Sequence, residues 1–327
     1  MKLKRRPRRN RQTVALRDLV RENSLTPSAL IWPVFVCEGQ NQREKIESLP
    51  GVFRLSLDIL EKEVRSARAL GIKSLALFPK VEPNKKNDRG SEALNANNLS
   101  ARAAKKLKEA FPDLCLISDV ALDPYTSHGH DGLIKGEKIL NDETVEVLAQ
   151  MAVLQAQSGV DMVAPSDMMD GRVAAIRTAL DNAGHTETGI MAYTAKYASA
   201  FYGPFRDALQ NKLAFGDKRT YQMDPGNRRE AILEAKLDYQ EGADILMVKP
   251  GLSYLDIVWE LKRRFPVPIA AYNVSGEYAM VKAAAQNGWL NEKAAVLEIL
   301  LSFKRAGADM VLTYHAVDAA KWLNEEG

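Results

Sequence analysis

The sequence predicts a (β/α)8 barrel, the TIM barrel, in which parallel strands and helices alternate until the sheet closes on itself. Three observations predict this α/β fold. Eight short apolar runs are spread along the chain, each run is followed by an amphipathic stretch, and nearly every position within a run is apolar. Strands buried on both faces have this composition, and a length of 327 residues suits one such barrel with insertions.

The elements follow one another in regular order, without an internal repeat or a low-complexity linker. The predicted strands are 29–36, 72–78, 114–120, 160–164, 189–193, 244–248, 267–272 and 309–314. The predicted helices are 57–70, 99–110, 142–158, 170–183, 227–240, 254–265, 277–287 with 292–305, and 317–324. Gly71, Gly242 and Gly307 stand where helices should end in a left-handed turn. We therefore predict one barrel domain over 29–327, preceded by an N-terminal arm over 1–28.

One interval, 197–226, is too long for a plain turn between a strand and a helix. It contains three aromatic residues within five positions, Phe201, Tyr202 and Phe205, which argues against disorder. Long loops in compact domains are often functional. We predict that this interval is a lid over an active site.

The composition excludes several classes of protein. Hydrophobic residues make up 46% of the chain and charged residues 27%, as in ordinary globular proteins. No apolar run approaches the roughly 18 residues that a membrane-spanning helix needs. Only two cysteines occur, Cys37 and Cys115, and no secretory signal is visible. These features predict a cytoplasmic protein in a reducing compartment, without a membrane partner.

The arm is strongly basic, with seven lysines and arginines and no acid in its first 11 residues. Such an arm can bind nucleic acid, target an organelle or pair with an acidic neighbour. Nothing beyond it resembles a nucleic-acid-binding module. We therefore expect an arm that is solvated or wraps a protein partner, and no nucleic-acid partner.

The polar residues concentrate where the predicted strands end, which is the face that carries active sites in this architecture. These residues are Lys80, Asp119, Asp123, His128, His130, Asp131, Ser166, Asp167, Lys196, Lys249, Asn273, Ser275, Tyr314 and His315. Lys249 directly follows a buried strand. Burial there would lower the pKa of its amine and free it to attack a carbonyl group. The alternative is a lysine whose stem covers the rim of the barrel. Lys196 ends the preceding strand, so the two amines should meet in the barrel mouth.

Two further groups of residues leave alternatives open. His128 and His130, with Asp123 and Asp131, could bind a divalent ion or could be a hydrogen-bonded scaffold. The carboxylates and the absence of a thiolate favour magnesium over zinc. In the lid, Arg206 and Lys218 are candidate carboxylate clamps, although exposed basic residues in a loop are common.

From about residue 13 to the C-terminus the chain resembles the porphobilinogen synthase (5-aminolaevulinate dehydratase) family. The segments that carry the resemblance are 118–132, 163–171, 191–206, 247–258 and 272–280. The resemblance implies a hydro-lyase of tetrapyrrole biosynthesis. Its reaction condenses two 5-aminolaevulinate molecules to porphobilinogen, with loss of two waters, through lysine Schiff bases.

The resemblance also implies roles for individual residues. Lys249 would bind the substrate molecule that becomes the propionate side, and Lys196 the acetate-side molecule. The residues implied to hold the acetate-side carboxylate are Arg206, Lys218 and Gln222. Those implied to hold the propionate-side carboxylate are Ser275 and Tyr314. Those implied to line the amino-group pockets and assist proton transfer are Asp119 and Ser166. At Lys218 many relatives have an arginine, so this chain keeps the charge but lacks the bidentate fork.

The metal and the assembly are implied in the same way. Zinc-dependent members have cysteines where this chain has Ala121, Asp123 and Asp131. The chain therefore resembles the aspartate-rich, magnesium-type branch, and catalytic zinc is not expected. Glu234 matches an allosteric magnesium position, and Asp123 and Asp131 could also bind an ion. The family forms homo-octamers through an N-terminal arm.

Two other interpretations of the sequence are possible. A class I aldolase barrel would need one essential lysine and usually a phosphate or hydroxy-acid pocket. The second lysine, Lys196, and the missing glycine-rich phosphate loop count against it. Alternatively, the chain could be a non-catalytic barrel whose basic arm binds RNA or a protein, in which case neither lysine would form a trappable imine.

Overall fold

A computed structural model of the chain describes residues 3–326, and Lys2 of the arm lies outside them. The strands are β1 (Leu30–Val36), β2 (Arg43–Lys45), β3 (Phe53–Leu55), β4 (Ser74–Pro79), β5 (Cys115–Val120), β6 (Leu133–Lys135), β7 (Lys138–Leu140), β8 (Met162–Pro165), β9 (Gly189–Lys196), β10 (Ile245–Lys249), β11 (Ile269–Asn273) and β12 (Met310–Thr313). Eight of them, β1, β4, β5 and β8–β12, pair in parallel in this order, and β12 pairs with β1. The predicted (β/α)8 barrel is confirmed.

The described residues form eleven α-helices, most of which pack on the outer face of the barrel. They are α1 (Val14–Leu19), α2 (Leu57–Ala69), α3 (Leu99–Ala110), α4 (Asn141–Gln157), α5 (Arg172–Asn182), α6 (Gly203–Leu209), α7 (Arg229–Gln240), α8 (Leu255–Arg264), α9 (Ser275–Gln286), α10 (Glu292–Ala306) and α11 (Ala316–Glu326). All eight predicted strands and the helices between them are confirmed, with ends shifted by a few residues. The sequence analysis did not predict the β2–β3 pair beside β1, the β6–β7 hairpin, or α6 within the lid interval.

The barrel strands are apolar on both faces because one face packs inside the barrel and the other packs against the helices. On β10, Ile245 and Met247 belong to the cluster inside the barrel, whereas Leu246 and Val248 pack against the helices. Successive side chains of a strand alternate between its faces. The next inward position on this strand is Lys249, at the end of the strand, so regular alternation alone places this amine in the barrel mouth.

Strand β9 reaches the same result only because its alternation is interrupted. Met191 and Tyr193 point into the barrel, but Ala192 and Ala195 both pack outward although they are three positions apart. The pairing register with β10 shifts by one residue in this region, which is the signature of a β-bulge. The extra residue turns Lys196 inward, directly opposite Lys249 in the register.

The arm lies outside the barrel. Residues 3–22 are exposed, including the apolar Val14 and Leu19, which keep 64% and 79% of their accessible surface. Within the described part of the chain, no helix combines the length and apolar character needed to cross a bilayer.

Candidate functional site

The amine of Lys249 lies inside a cage of aromatic rings at the mouth of the barrel. Its Nζ is 4.7 Å from the ring centre of Tyr272 and 5.0 Å from those of Tyr193 and Phe205. Tyr202 adds a fourth ring at 5.3 Å, and its hydroxyl donates to the carbonyl oxygen of Lys249 at 3.1 Å. The side chain is therefore shielded from water on several sides.

Two rings of this cage, Tyr202 and Phe205, also line a cavity at the mouth of the barrel. The lining residues are Asp123, Gly129, Lys196, Tyr202, Phe205, Arg206, Leu209, Asn211, Leu213, Lys218, Gln222 and Lys249. Both predicted lysines, and all three residues predicted to hold the acetate-side carboxylate, are thus brought to one cavity.

The environment of Lys249 favours the neutral amine. Burial lowers its pKa to about 7, the nearby positive charge of Lys196 acts in the same direction, and Asp119 opposes the shift. Burial also raises the pKa of Asp119 to about 7, although Lys196 and Lys249 oppose it. An amine and a carboxyl group that titrate in the same range can exchange a proton at little cost near neutral pH.

Lys196 has a different environment, with acceptors within reach. Its Nζ donates to the carbonyl oxygen of Ser166 and lies 3.8 Å from Oδ1 of Asp131. Burial would raise the pKa of Asp131, but Lys218 and Lys196 outweigh it and lower this pKa to about 2. Asp131 is therefore a permanent negative charge beside Lys196.

The carboxylates of Asp123 and Asp131 both form ion pairs with Lys218. Lys218 Nζ lies 3.2 Å from Asp123 Oδ2 and 2.8 Å from Asp131 Oδ2. Although burial acts in the opposite direction, the two carboxylates raise the pKa of Lys218. A metal ion bound by the same pair would have to displace this ammonium group.

The two histidines hold loops together. His130 places Nδ1 3.0 Å from the Tyr221 hydroxyl and Nε2 3.1 Å from the carbonyl oxygen of Phe215. His128 Nε2 lies 3.2 Å from the carbonyl oxygen of Asp88, and its Nδ1 accepts from the backbone N–H of His130 at 3.2 Å. With every ring nitrogen engaged, the geometry favours the scaffold alternative over metal ligation.

The predicted lid interval covers the cavity with α6 and the loop after it. Arg206 lines the cavity, and no ion pair of its guanidinium is found within residues 3–326. Gln222, only 5% exposed, also lines the cavity. After the loop, the chain returns to β9, where the backbone N–H of Met223 donates to the carbonyl oxygen of Lys196 at 3.0 Å.

Ser275 and Tyr314, the two residues predicted to hold the propionate-side carboxylate, lie just outside the cavity lining. Ser275 Oγ accepts from the backbone N–H of Phe205 at 3.0 Å and so holds the start of α6. The Tyr314 hydroxyl is 3.0 Å from that of Tyr272, one of the cage residues. Both are thus connected to the cage of Lys249.

Sequence reasoning missed the aromatic cage itself. The inward orientation of Tyr193 and Tyr272 could have been predicted from the alternation of side chains, because each residue lies two positions from another inward residue of its strand. Tyr202 and Phe205 carry no such signal, since their position depends on how the lid packs.

Comparisons with known proteins show the family of the chain. The family model of delta-aminolevulinic acid dehydratase matches residues 4–322. The chain belongs to this family. It is 57% identical to the delta-aminolevulinic acid dehydratase of Bradyrhizobium diazoefficiens, over 98% of this chain and 92% of that protein. With the Bacillus subtilis enzyme it shares 53% identity, over 98% of each chain.

A solved structure of a relative agrees in fold as well as in sequence. The enzyme from Toxoplasma gondii ME49, in complex with its reaction product porphobilinogen, superposes with a TM-score of 0.98 at 55% identity. The match covers 99% of this chain and 93% of that one. The predicted family, the barrel and the lyase activity of a porphobilinogen synthase are therefore confirmed.

The pKa of Lys249 predicts how imine formation depends on pH. Because only the free amine attacks a carbonyl, the rate of imine formation at Lys249 should rise about tenfold per pH unit below pH ~7 and level off above it. Stopped-flow mixing with substrate, followed by borohydride quenching over a pH series, measures this rate. Lys196→Met removes a charge that lowers this pKa, so the rising limb should move to higher pH.

The shift should remain partial, because burial, the largest cause, is unchanged in the variant. Lys135→Met removes an exposed lysine from β6 and should leave the profile in place. If the rate of imine formation in Lys196→Met still levels off near pH 7, the charge of Lys196 does not influence the pKa of Lys249.

Proposed function

We propose that Lys249 and Lys196 each form a Schiff base with one of two 5-aminolaevulinate molecules, and that this pair carries out the asymmetric condensation to porphobilinogen. The observation that carries the proposal is their position, side by side on the ends of β10 and β9 in one cavity. Each amine attacks a ketone carbon, and the resulting carbinolamine loses water to form an imine.

The imine at Lys196 then withdraws electrons from the adjacent carbon of the acetate-side molecule, which loses a proton and becomes the nucleophile. The imine at Lys249 serves as the electrophile. Formation of the C–C bond and of the C–N bond that closes the ring expels both lysines as free amines, so the two waters lost are those released when the imines form. We assign the proton transfers to Asp119, whose raised pKa of about 7 lets it both accept and donate near neutrality. Ser166 assists, because its side chain lowers the pKa of Asp119 and its carbonyl oxygen accepts from Lys196.

The substrate carboxylates would be held on two sides of the cavity. We assign Arg206, Lys218 and Gln222 to the acetate-side carboxylate. The guanidinium of Arg206, which has no ion pair within residues 3–326, supports this assignment. Ser275 and Tyr314 would take the propionate-side carboxylate once substrate displaces their present hydrogen bonds. A single-lysine aldolase would leave Lys196 without a role, so the paired amines favour the two-substrate reaction.

Removal of either lysine tests the assignment. Lys249→Ala should lower the rate by several orders of magnitude, because the nucleophile is lost. Lys196→Ala should be similarly inactive, yet it should still form an adduct at Lys249. Borohydride reduction in the presence of 5-aminolaevulinate, followed by peptide mass spectrometry, locates the adduct.

The exposed Lys135→Ala serves as the matched control and should retain the wild-type rate. A Lys249→Ala variant that keeps more than about a tenth of the rate, equivalent to ~1.4 kcal/mol of barrier, would remove Lys249 from its role. The absence of any adduct in folded Lys196→Ala would contradict the two-site model.

The carboxylate assignment predicts a difference between the two substrate molecules. Arg206→Ala and Lys218→Ala should weaken use of the second molecule much more than formation of the first imine. Each loses a charge-assisted contact worth about 1.5–3 kcal/mol. Comparing the amount of trapped imine with the steady-state rate separates the two steps. Equal damage to both would leave these residues with a structural role only.

We also propose that the chain belongs to the magnesium-type branch, with an allosteric ion at Glu234. Glu234 lines a second cavity together with Asn141, Asp170 and Glu230. Burial raises the pKa of Glu234 to about 7, Arg172 opposes this, and nearby acids including Asp170 add to it, so a cation would relieve a negative environment.

Within residues 3–326, no group of three or more histidine, cysteine or acidic side chains is arranged to hold an ion. A bound Mg²⁺ would therefore keep most of its waters, as this ion commonly does in proteins. Asp123 and Asp131 could bind an ion only by releasing Lys218, and the carboxylate set offers no thiolate for zinc.

Metal removal tests this proposal. EDTA should lower the rate and added magnesium should restore it, whereas a zinc-selective chelator should leave the rate unchanged. Glu234→Ala should lose both the stimulation and Mg²⁺ binding in calorimetry while keeping basal activity; Glu298→Ala, an exposed acid on α10, should lose neither. Tightly bound zinc whose content follows activity would overturn the proposal.

For the assembly, we propose a homo-octamer in the cytoplasm, held together through the N-terminal arm. The arm exposes Val14, Leu16 and Leu19, apolar side chains that a second copy of the barrel would cover. The free thiols of Cys37 and Cys115 support a reducing compartment.

A further inference from the structure

The β2–β3 insertion forms a buttress beside the active site, at the end of β1. Strand β3 pairs in parallel with β1, with Phe35 opposite Arg54. The turn between β2 and β3 is anchored by the Tyr278 hydroxyl, which donates to the carbonyl oxygen of Pro50 at 2.6 Å. The insertion is therefore fixed to both the barrel and α9.

From this buttress, the buried side chain of Arg54 reaches the C-terminal end of the lid helix α6. Arg54 is only 5% exposed. Its Nε donates to the carbonyl oxygen of Ala208 at 2.5 Å, and Nη2 donates to that of Asp207 at 2.8 Å. Nη1 lies 3.5 Å from Glu44 Oε2 and from the carbonyl oxygen of Lys45, both within the insertion.

The insertion contacts α6 a second time through Ser48. Its hydroxyl donates to Asp207 Oδ2 at 2.5 Å, and its backbone N–H lies 3.4 Å from the same oxygen. Helix α6 has only seven residues, too few to be stable without external contacts. It ends at Gln210 in the left-handed conformation, with φ of 50°, which is unfavourable for a residue other than glycine.

This helix supplies a large part of the wall around the two lysines. Phe205 belongs to the cage of Lys249, and both Arg206 and Leu209 line the cavity. At its start, α6 is held by Ser275. At its end, the last carbonyl groups of the helix carry a partial negative charge, which a buried guanidinium complements.

We propose that Arg54 is a positioning residue that clamps α6 over the two lysines and thereby sets the affinity for substrate. Arg54 contacts neither lysine. It acts through the helix that carries Phe205 and Arg206. The effect on 5-aminolaevulinate rests on the function proposed above, but the clamp itself does not depend on any ligand.

Replacement of the guanidinium should change KM more than kcat. In Arg54→Met, the loss of charge-assisted hydrogen bonds should favour the open helix and raise KM about 10- to 100-fold. Saturating substrate closes the helix again, so kcat should stay within about threefold. Arg54→Lys, which can reach fewer carbonyl groups, should give a smaller rise in KM, as should Ser48→Ala.

The matched control is Arg43→Met. Arg43 lies in the same insertion but is exposed, pairs with Glu63 and stacks on Phe53, so it does not touch α6. Its removal should leave KM unchanged. A merely structural effect would lower apparent kcat in proportion to the folded fraction, measured by circular dichroism, without moving KM.

A second measurement needs no substrate. Trypsin cleavage after the exposed Lys212, just beyond α6, reports how often the helix opens, provided that closing is faster than cleavage. Arg54→Met should speed this cleavage about 10-fold or more, and Arg43→Met should not. This readout stands even if borohydride traps no imine in the wild-type chain, so failure of the clamp and failure of the proposed chemistry are distinguishable.

Unchanged KM and unchanged cleavage in folded Arg54→Met would overturn the proposal, as would equal effects in Arg43→Met. If Arg54→Met does not fold, Arg54→Lys and Ser48→Ala decide the question by the same two measurements. Wild-type values in both of these variants would likewise overturn it.

Discussion

The site depends on one irregularity in the barrel, the extra residue in β9. Regular alternation brings Lys249 inward at the end of β10, but on β9 it would have brought Ala195 inward and sent Lys196 towards the helices. The register shift between the two strands corrects this and sets the lysines opposite each other. Bulges commonly redirect side chains at active sites. Without this one, Lys196 would point towards the helices and would not face Lys249 in the cavity.

Two charged amines buried side by side repel each other and lose hydration, which costs free energy. The surrounding groups offset this cost. Lys196 donates to the carbonyl oxygen of Ser166 and lies near the ionised Asp131, which Lys218 also neutralises. Lys249 has no ion pair within residues 3–326, only aromatic faces, and it shifts towards its neutral form. The asymmetry gives the two lysines distinct chemical characters although their positions on the strands are equivalent. An asymmetric condensation of two identical molecules needs such a difference.

The barrel and most of the polar groups were predictable because each depends on local pattern. Apolar runs gave the eight strands, and the rule that sites lie at strand ends led to Lys196 and Lys249. The bulge was not predictable, since Ala192 to Lys196 carry no glycine or other local mark of it. The hydrogen bond from Arg54 to the carbonyl oxygen of Ala208, near the C-terminus of α6, was not predictable either, because the two residues are 154 positions apart. Such features follow from tertiary packing, which a single sequence does not display.

The lid is part of the chemistry as well as a cover. Tyr202 and Phe205 supply two of the four rings around Lys249, and both come from the lid interval. Burial is the largest cause of the lowered pKa of this lysine, so an open lid would admit water and raise that pKa again. The packing of the interval 197–226 over the amine and the lowering of its pKa are therefore linked. The rings that shield this amine and Arg206, a cation of the cavity, therefore come from one segment of the chain.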